Sequence, residues 1–223
     1  VRACLDVVNE TGATLMVGFN RRFDPHFMGV KVAIDSGRIG TPEMGIITSR
    51  DPGAPPADYI TRSGGIFKDM MIHDFDMAVF LMGSMPEAVM ATGSVLTDKS
   101  IEALGDFDSA SAVLRWADGR QLSITNSRRA SYGYDQRVEM HGSLGMVAAE
   151  NEHPVRIEVA TAEGYMRPPL HDFFMTRYIA AYTNEINAFI SVVDGATSGI
   201  EAGSIPTGID GLNALLIAEA AQE

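Results

Sequence analysis

Asp69 and His73 stand four residues apart in the stretch Gly64-Gly65-Ile66-Phe67-Lys68-Asp69-Met70-Met71-Ile72-His73-Asp74-Phe75-Asp76. On a helix that spacing places both side chains on one face, a turn apart. A carboxylate beside an imidazole holds the ring oriented and basic, which suits a general base. Asp76 lies three residues further on the same side, and Asp-x3-His-x2-Asp could offer three ligands to a metal. No His-x3-His and no cysteine cluster accompanies it, and one helix rarely completes a metal site alone. The plainest reading of Asp69 and His73 is a surface pair worth ~0.2–0.5 kcal/mol. Lys68 and Asp74 point elsewhere.

The carrier of these residues must be a helix. Ile66, Phe67, Met70, Met71, Phe75, Val79 and Met82 keep a period close to 3.6, and glycines stand at both ends of the run, Gly64-Gly65 and Gly83. The sequence thus predicts one helix over 64–82. Upstream, Asp51 to Ser63 carries three prolines and reads as a loop. Asp24-Pro25 is a strong helix start, an aspartate cap followed by proline, and that helix runs to Ser36-Gly37. Met44 to Ser49 reads as a strand. Val1, Cys4, Leu5 and Val8 have helical spacing up to Thr11-Gly12. Thr14 to Phe19 reads as a short buried strand. A helix and then a strand at this point look like the last αβ unit of a parallel sheet whose other strands lie upstream of Val1.

From Glu87 the period changes to two. Ala110, Ala112, Leu114 and Trp116 alternate with polar or smaller neighbours, and Asp118-Gly119 signals a hairpin. The pattern continues through Leu122 and Ile124, Val138 and Met140, and Ile157 and Val159. Consecutive strands with short turns make a mostly antiparallel sheet with one face buried. Helices follow over Asp172–Val193 and Ile209–Ala220, joined by a loop from Asp194 to Gly208. The expected fold class is therefore α+β, an open, mostly antiparallel sheet flanked by helices.

The chain has 223 residues and a net charge of −12, with basic residues scattered except at Arg21-Arg22 and Arg128-Arg129. A field of that sign argues against nucleic acid and anionic membrane surfaces as partners. The single cysteine, Cys4, excludes an internal disulfide, and a cytoplasmic setting is the default expectation.

Four stretches carry a family likeness: VGFNRRFDP (17–25), GGIFKDMMIHDFDMAVFLMG (64–83), YGYDQRVEMHGSLGM (132–146) and IPTGIDGLNALLIAEAA (205–221). Together they resemble the glucose–fructose oxidoreductase/inositol dehydrogenase (Gfo/Idh/MocA) family of NAD(P)-dependent oxidoreductases. The resemblance implies two domains, with residues 1–20 the end of a dinucleotide-binding Rossmann domain and 21–223 the substrate-binding and oligomerisation domain. It implies that His73 accepts the hydroxyl proton as hydride leaves for the nicotinamide, and that Asp69 binds a neighbouring hydroxyl. A neutral imidazole near its reference pKa of ~6.5 suits the first task. The resemblance further places Arg21, Asp51, Tyr132 and Tyr134 against the substrate, a cyclic polyol or sugar. The bland counterparts are a surface salt bridge for Arg21 and ordinary strand packing for the tyrosines.

The expected cofactor is NAD or NADP, acting in a full-length enzyme. No Gly-x-Gly-x-x-Gly occurs in these 223 residues, so the residues that would bind the cofactor are unassigned. The chain by itself is expected to be inactive and to hold no cofactor tightly. No metal site is expected. The resemblance also implies a homodimer or homotetramer built through the sheet. A non-catalytic oligomerisation domain and a metal-dependent hydrolase resting on Asp69, His73 and Asp76 are the competing readings.

Overall fold

The structure, a computed structural model, describes residues 1–195 and 205–223. Most of the predicted loop between the last two helices falls outside those residues. Helix α1 covers Arg2–Thr11 and ends at Gly12, as its apolar spacing predicts. Its apolar residues are not buried. The strand expected over 14–19 does not form: the segment has no β-partner among the described residues, and Leu15 is 41% exposed. A strand exists only through pairing. This segment instead bonds from Val17 N–H to the Pro206 carbonyl, 2.9 Å, beside the C-terminal helix, and turns locally with Phe19 N–H on the Val17 carbonyl at 2.8 Å.

Helix α2, Pro25–Asp35, begins as the sequence dictates. The Asp24 carboxylate accepts from the N–H groups of His26 and Phe27 at 3.0 and 3.2 Å. Phe27 and Val30 bury its inner face. A six-stranded sheet follows, built from β1 (Pro42–Arg50), β2 (Ala88–Ser94), β3 (Ser109–Arg115), β4 (Gln121–Ser127), β5 (Asp135–Gly142) and β6 (Gly145–Ala149). Its order is β2-β3-β4-β1-β5-β6; only β1 and β4 are parallel, and every other pair is antiparallel. Ala110, Ala112, Leu114, Leu122, Ile124, Ile47, Val138 and Met140 point inward and are buried, the period-two pattern realised as one apolar face. The expected strand at Ile157 and Val159 shrinks to a separate hairpin, β7 (Val159–Thr161) with β8 (Gly164–Met166).

The helix expected over 64–82 is broken. Residues 57–63 form a short helix α3 (Ala57–Ser63) where a loop was expected. Then come α4 (Ile66–Asp69) and α5 (Ile72–Met82). Pro56 sits just before α3, where its missing N–H costs nothing, so the proline-rich run starts a helix as well as interrupting one. Gly64 and Gly65 have φ of 91° and 87°, a backbone that only glycine adopts freely, and this separates α3 from α4. At Met70–Met71 both amides donate to the Ile66 carbonyl, at 3.0 and 2.9 Å, and the chain turns before α5 begins. The two methionines bury their side chains in the core at that turn. The predicted C-terminal helix is also divided, at Tyr178, into α6 (Phe174–Arg177) and α7 (Ile179–Val193). The last helix is α8 (Gly208–Gln222), capped by Thr207 and Asp210 in a reciprocal box. The core lies between the inner face of the sheet and α2, α5 and α8, and the breaks at Met70 and Tyr178 both border one cavity.

Candidate active site

That cavity has a volume of about 630 Å³. One wall is the segment Asp51, Gly53, Ala54, Pro55, Pro56 and Tyr59; the floor carries Asp69, His73 and Arg128; the far wall is aromatic, with Tyr134, Phe173, Phe174, Tyr178 and Tyr182. Asn20 and Arg21 enter from the turn before α2. A deep, largely apolar cleft with a few convergent polar groups is the usual form of a small-molecule site.

His73 opens α5 and packs edge-on against the Phe19 ring, 6.0 Å between centroids. Its Nδ1 is buried without a hydrogen-bond partner. Burial, assisted by the nearby Arg21 charge, lowers its pKa to about 3. The sequence reading placed the imidazole near its reference value; the structure instead makes it neutral throughout the physiological range. A hydroxyl donating to Nε2 selects the tautomer with its proton on Nδ1, so an alcohol prepares its own base. We expect the ring resonances of His73 to show no protonation step between pH 5 and 8 by NMR. A step near 6.5 would contradict this geometry. The linkage sign follows. As pH falls from about 6.5 towards 3, the unfolded chain takes up a proton that the folded histidine refuses, so acidification through that window destabilises the fold.

Asp69 and His73 both line the cavity but make no hydrogen bond with each other, because the turn at Met70–Met71 removes the simple one-turn relation. Asp69 is held by two other groups. The Tyr59 hydroxyl donates to its Oδ1 at 2.7 Å, and Arg128 donates to its Oδ2 at 3.2 Å. Asp76 faces away, taking the Arg22 guanidinium on both oxygens at 2.9 and 2.6 Å. Burial outweighs that pairing and raises the Asp76 pKa to about 6. The three-ligand metal set therefore loses a member, and among the described residues no group of three His, Cys, Asp or Glu side chains is placed to hold a metal.

Arg21 lines the cavity, but its bonds point inward. It pairs with the fully buried Asp74 and donates to the Ser49 hydroxyl at 3.0 Å. Burial opposes its charge, and the Asp74 carboxylate more than offsets this, raising its pKa. Asp74 also accepts from Ser49 at 2.6 Å and from Asn126 at 2.8 Å. Asp51 projects into the cavity with no side-chain partner among the described residues, and burial lifts its pKa to about 6. Tyr134 lies on the aromatic wall, perpendicular to Tyr178 at 5.9 Å. Burial pushes the Tyr134 phenol well above its ordinary value.

Tyr132 is the exception among the expected residues. Gly133 between the two tyrosines has φ of 116°, and the chain turns there. Tyr132 instead donates to Asp135 at 2.6 Å and accepts from Arg50 at 3.2 Å, outside the cavity. Conversely, the sequence did not point to Tyr59, Arg128, Tyr178 or Tyr182. Tyr178 has its hydroxyl buried without a partner, and burial pushes its pKa up to about 12. The only sequence signal for Arg128 was its place in one of two arginine pairs.

The model of the GFO/IDH/MocA C-terminal domain matches residues 27–148. The chain is 64% identical over 221 residues to an inositol 2-dehydrogenase of Rhizobium meliloti, covering 99% of this chain and 66% of that protein. A myo-inositol dehydrogenase of Corynebacterium glutamicum shares the fold with a TM-score of 0.90 and 40% identity, over 99% of this chain and 65% of that one. The scyllo-inositol dehydrogenase of Lactobacillus casei, solved with NAD(H) and scyllo-inositol, has a TM-score of 0.85 at 28% identity, over 97% of this chain and 64% of that one. The chain thus spans just under two thirds of the length of these relatives.

Proposed function

The chain belongs to the GFO/IDH/MocA family, and from that premise we propose that it forms the substrate-binding part of an NAD-dependent dehydrogenase that oxidises a secondary hydroxyl of a cyclic polyol, an inositol. In this reading residues 21–223 are the substrate and oligomerisation domain, and residues 1–20 close a dinucleotide-binding domain. The observation that carries the proposal is that a neutral imidazole and a carboxylate, His73 and Asp69, line one cavity together.

An alcohol gives up hydride readily only as its proton is removed. His73 Nε2 takes that proton. Asp69 accepts a hydrogen bond from a neighbouring hydroxyl and fixes which carbon faces the hydride acceptor. Asp51 offers a second acceptor, and Tyr134 presents a ring face and a hydroxyl to the polyol. A nicotinamide supplies the hydride acceptor when bound. Asn20 Nδ2 and the Tyr178 hydroxyl, buried polar atoms without partners on residues lining the cavity, fit a ligand that brings polar groups of its own. Oxidation of myo-inositol and scyllo-inositol by the full-length enzyme with NAD, followed at the NADH absorbance, tests the proposal. Turnover of neither cyclitol would refute it.

The outer face of the sheet supports self-association. Met90, Val113, Ser123 and Ile46 form one row across β2, β3, β4 and β1, with Met90 72% and Ile46 50% exposed. Met44 and Met146 extend this apolar surface towards β6. Apolar residues at this density on an open sheet mark an interface. Light scattering at micromolar concentration should give a dimer or tetramer. Ile46→Glu together with Met90→Glu should shift the mass towards monomer, whereas a monomeric wild type over that range would contradict the assignment.

A further inference from the structure

Besides Tyr59, which bonds one oxygen of the Asp69 carboxylate, a residue 59 positions further along the chain bonds the other. Arg128 follows the end of β4 and is 1% exposed, yet it borders the cavity. Its guanidinium bridges two carboxylates from separate segments: one nitrogen donates to Asp69 Oδ2 and the other to Asp106 Oδ2, both at 3.2 Å. Asp106 in turn accepts the Ile66 N–H at 2.8 Å through its other oxygen. Ile66 is the first residue of α4, and Asp69 is the last. Both ends of this four-residue helix are therefore tied to one arginine.

Helix α4 cannot hold itself in place, since a single turn is unstable alone. Its preceding glycines give it no side-chain cap of its own. The support continues outward. Arg128 N–H donates to the Asp108 carbonyl at 2.7 Å, and the Asp108 carboxylate gathers the N–H groups of Leu96, Thr97 and Asp98 at 2.9, 2.7 and 2.9 Å. A planar guanidinium matches two carboxylates at fixed angles, which an ammonium cannot do.

We propose that Arg128, braced by Asp106, is a positioning residue that, with the Tyr59 hydroxyl on the other oxygen, fixes the Asp69 carboxylate for the substrate diol; this rests on the polyol-dehydrogenase reading above. Arg128 itself performs no proton or hydride transfer. Its loss frees Asp69 to rotate on a loosened α4 and weakens polyol binding more than the chemical step.

The test uses the full-length enzyme and three variants, Arg128→Met, Arg128→Lys and Asp106→Asn. Arg128→Met should raise KM for myo-inositol about ten- to a hundredfold, the scale of one charge-assisted hydrogen bond. It should change kcat by less than about threefold and leave KM for NAD within about twofold. Arg128→Lys, which can hold one carboxylate at a time, should recover part of the loss. Asp106→Asn keeps an acceptor for Ile66 N–H but loses the charge, and should raise KM for the polyol by a smaller factor. A polyol KM within about twofold of wild type in all variants that fold would overturn the proposal, as would an equal fall in kcat for the Lys and Met variants. A crystal structure of a folded variant adds a readout independent of turnover, in which the Asp69 carboxylate should leave its wild-type position. If the wild type oxidises no polyol, the functional reading fails on its own. The crystallographic result then decides the role of Arg128, and an unmoved Asp69 overturns it.

Discussion

Replacement of His73 by alanine in the full-length enzyme should lower kcat by about 10²–10⁴, the usual contribution of a positioned general base. NAD affinity should stay nearly unchanged. The expectation rests on three features of the site. His73 is held neutral by burial and by the neighbouring Arg21 charge, with its pKa lowered to about 3. Its Nδ1 is enclosed without a partner, which leaves Nε2 as the nitrogen available to a ligand. The Phe19 ring packed edge-on against it fixes the plane of the imidazole. Asp69→Asn should act differently. It preserves the shape and one acceptor but loses the charge, so KM for the polyol should rise more than kcat falls. Steady-state kinetics with myo-inositol separate the two effects. Near-wild-type kcat for His73→Ala would remove the histidine from the chemistry.

The second large effect concerns stability. Asp74→Ala should cost about 3–5 kcal/mol, measured as a shift of the denaturant midpoint at constant slope. Asp74 is fully buried and is the charge partner of Arg21. Its removal leaves a guanidinium in the core without its counter-ion, and it strips an acceptor from Ser49 and Asn126. The cost comes mainly from that uncompensated charge rather than from the lost attraction. The double replacement Arg21→Met with Asp74→Leu should therefore recover most of the loss. A single-variant cost below about 1 kcal/mol would show that water reaches Arg21. This pair joins the turn before α2 to α5, so one buried bond holds the two site-bearing segments together.

Much of this arrangement was legible in the residues. Asp24-Pro25 gave the start of α2, and the alternation from Ala110 to Met140 gave the buried face of the sheet, because caps and period-two patterning act locally. Asp69, His73, Arg21, Asp51 and Tyr134 do meet at one cavity. The misreadings have a common cause, which is that tertiary contacts decided the local structure. The run from Gly64 to Met82 has a helical period throughout. Its break at Met70-Met71 accompanies burial of both methionines in the core, and its first turn is tied down from a distance by the Asp106 bond to Ile66. The strand expected at Thr14–Phe19 needed a neighbour that the described residues do not supply. Tyr132 and Tyr134 looked equivalent in sequence, and the positive φ of Gly133 separated them. Arg128 was unreadable as a site residue because neither Asp106 nor Asp69 is near it in the chain.

The most direct test of the central claim is a crystal structure of the full-length enzyme with NADH and myo-inositol. The account predicts the cyclitol in the cavity between the Asp51–Tyr59 wall and the aromatic wall. One hydroxyl should lie within about 3 Å of His73 Nε2, a hydrogen-bonding distance for proton transfer. An adjacent hydroxyl should bond to the Asp69 carboxylate while Arg128 still bridges Asp69 and Asp106. A cyclitol bound elsewhere, or bound here with His73 facing no hydroxyl, would contradict it.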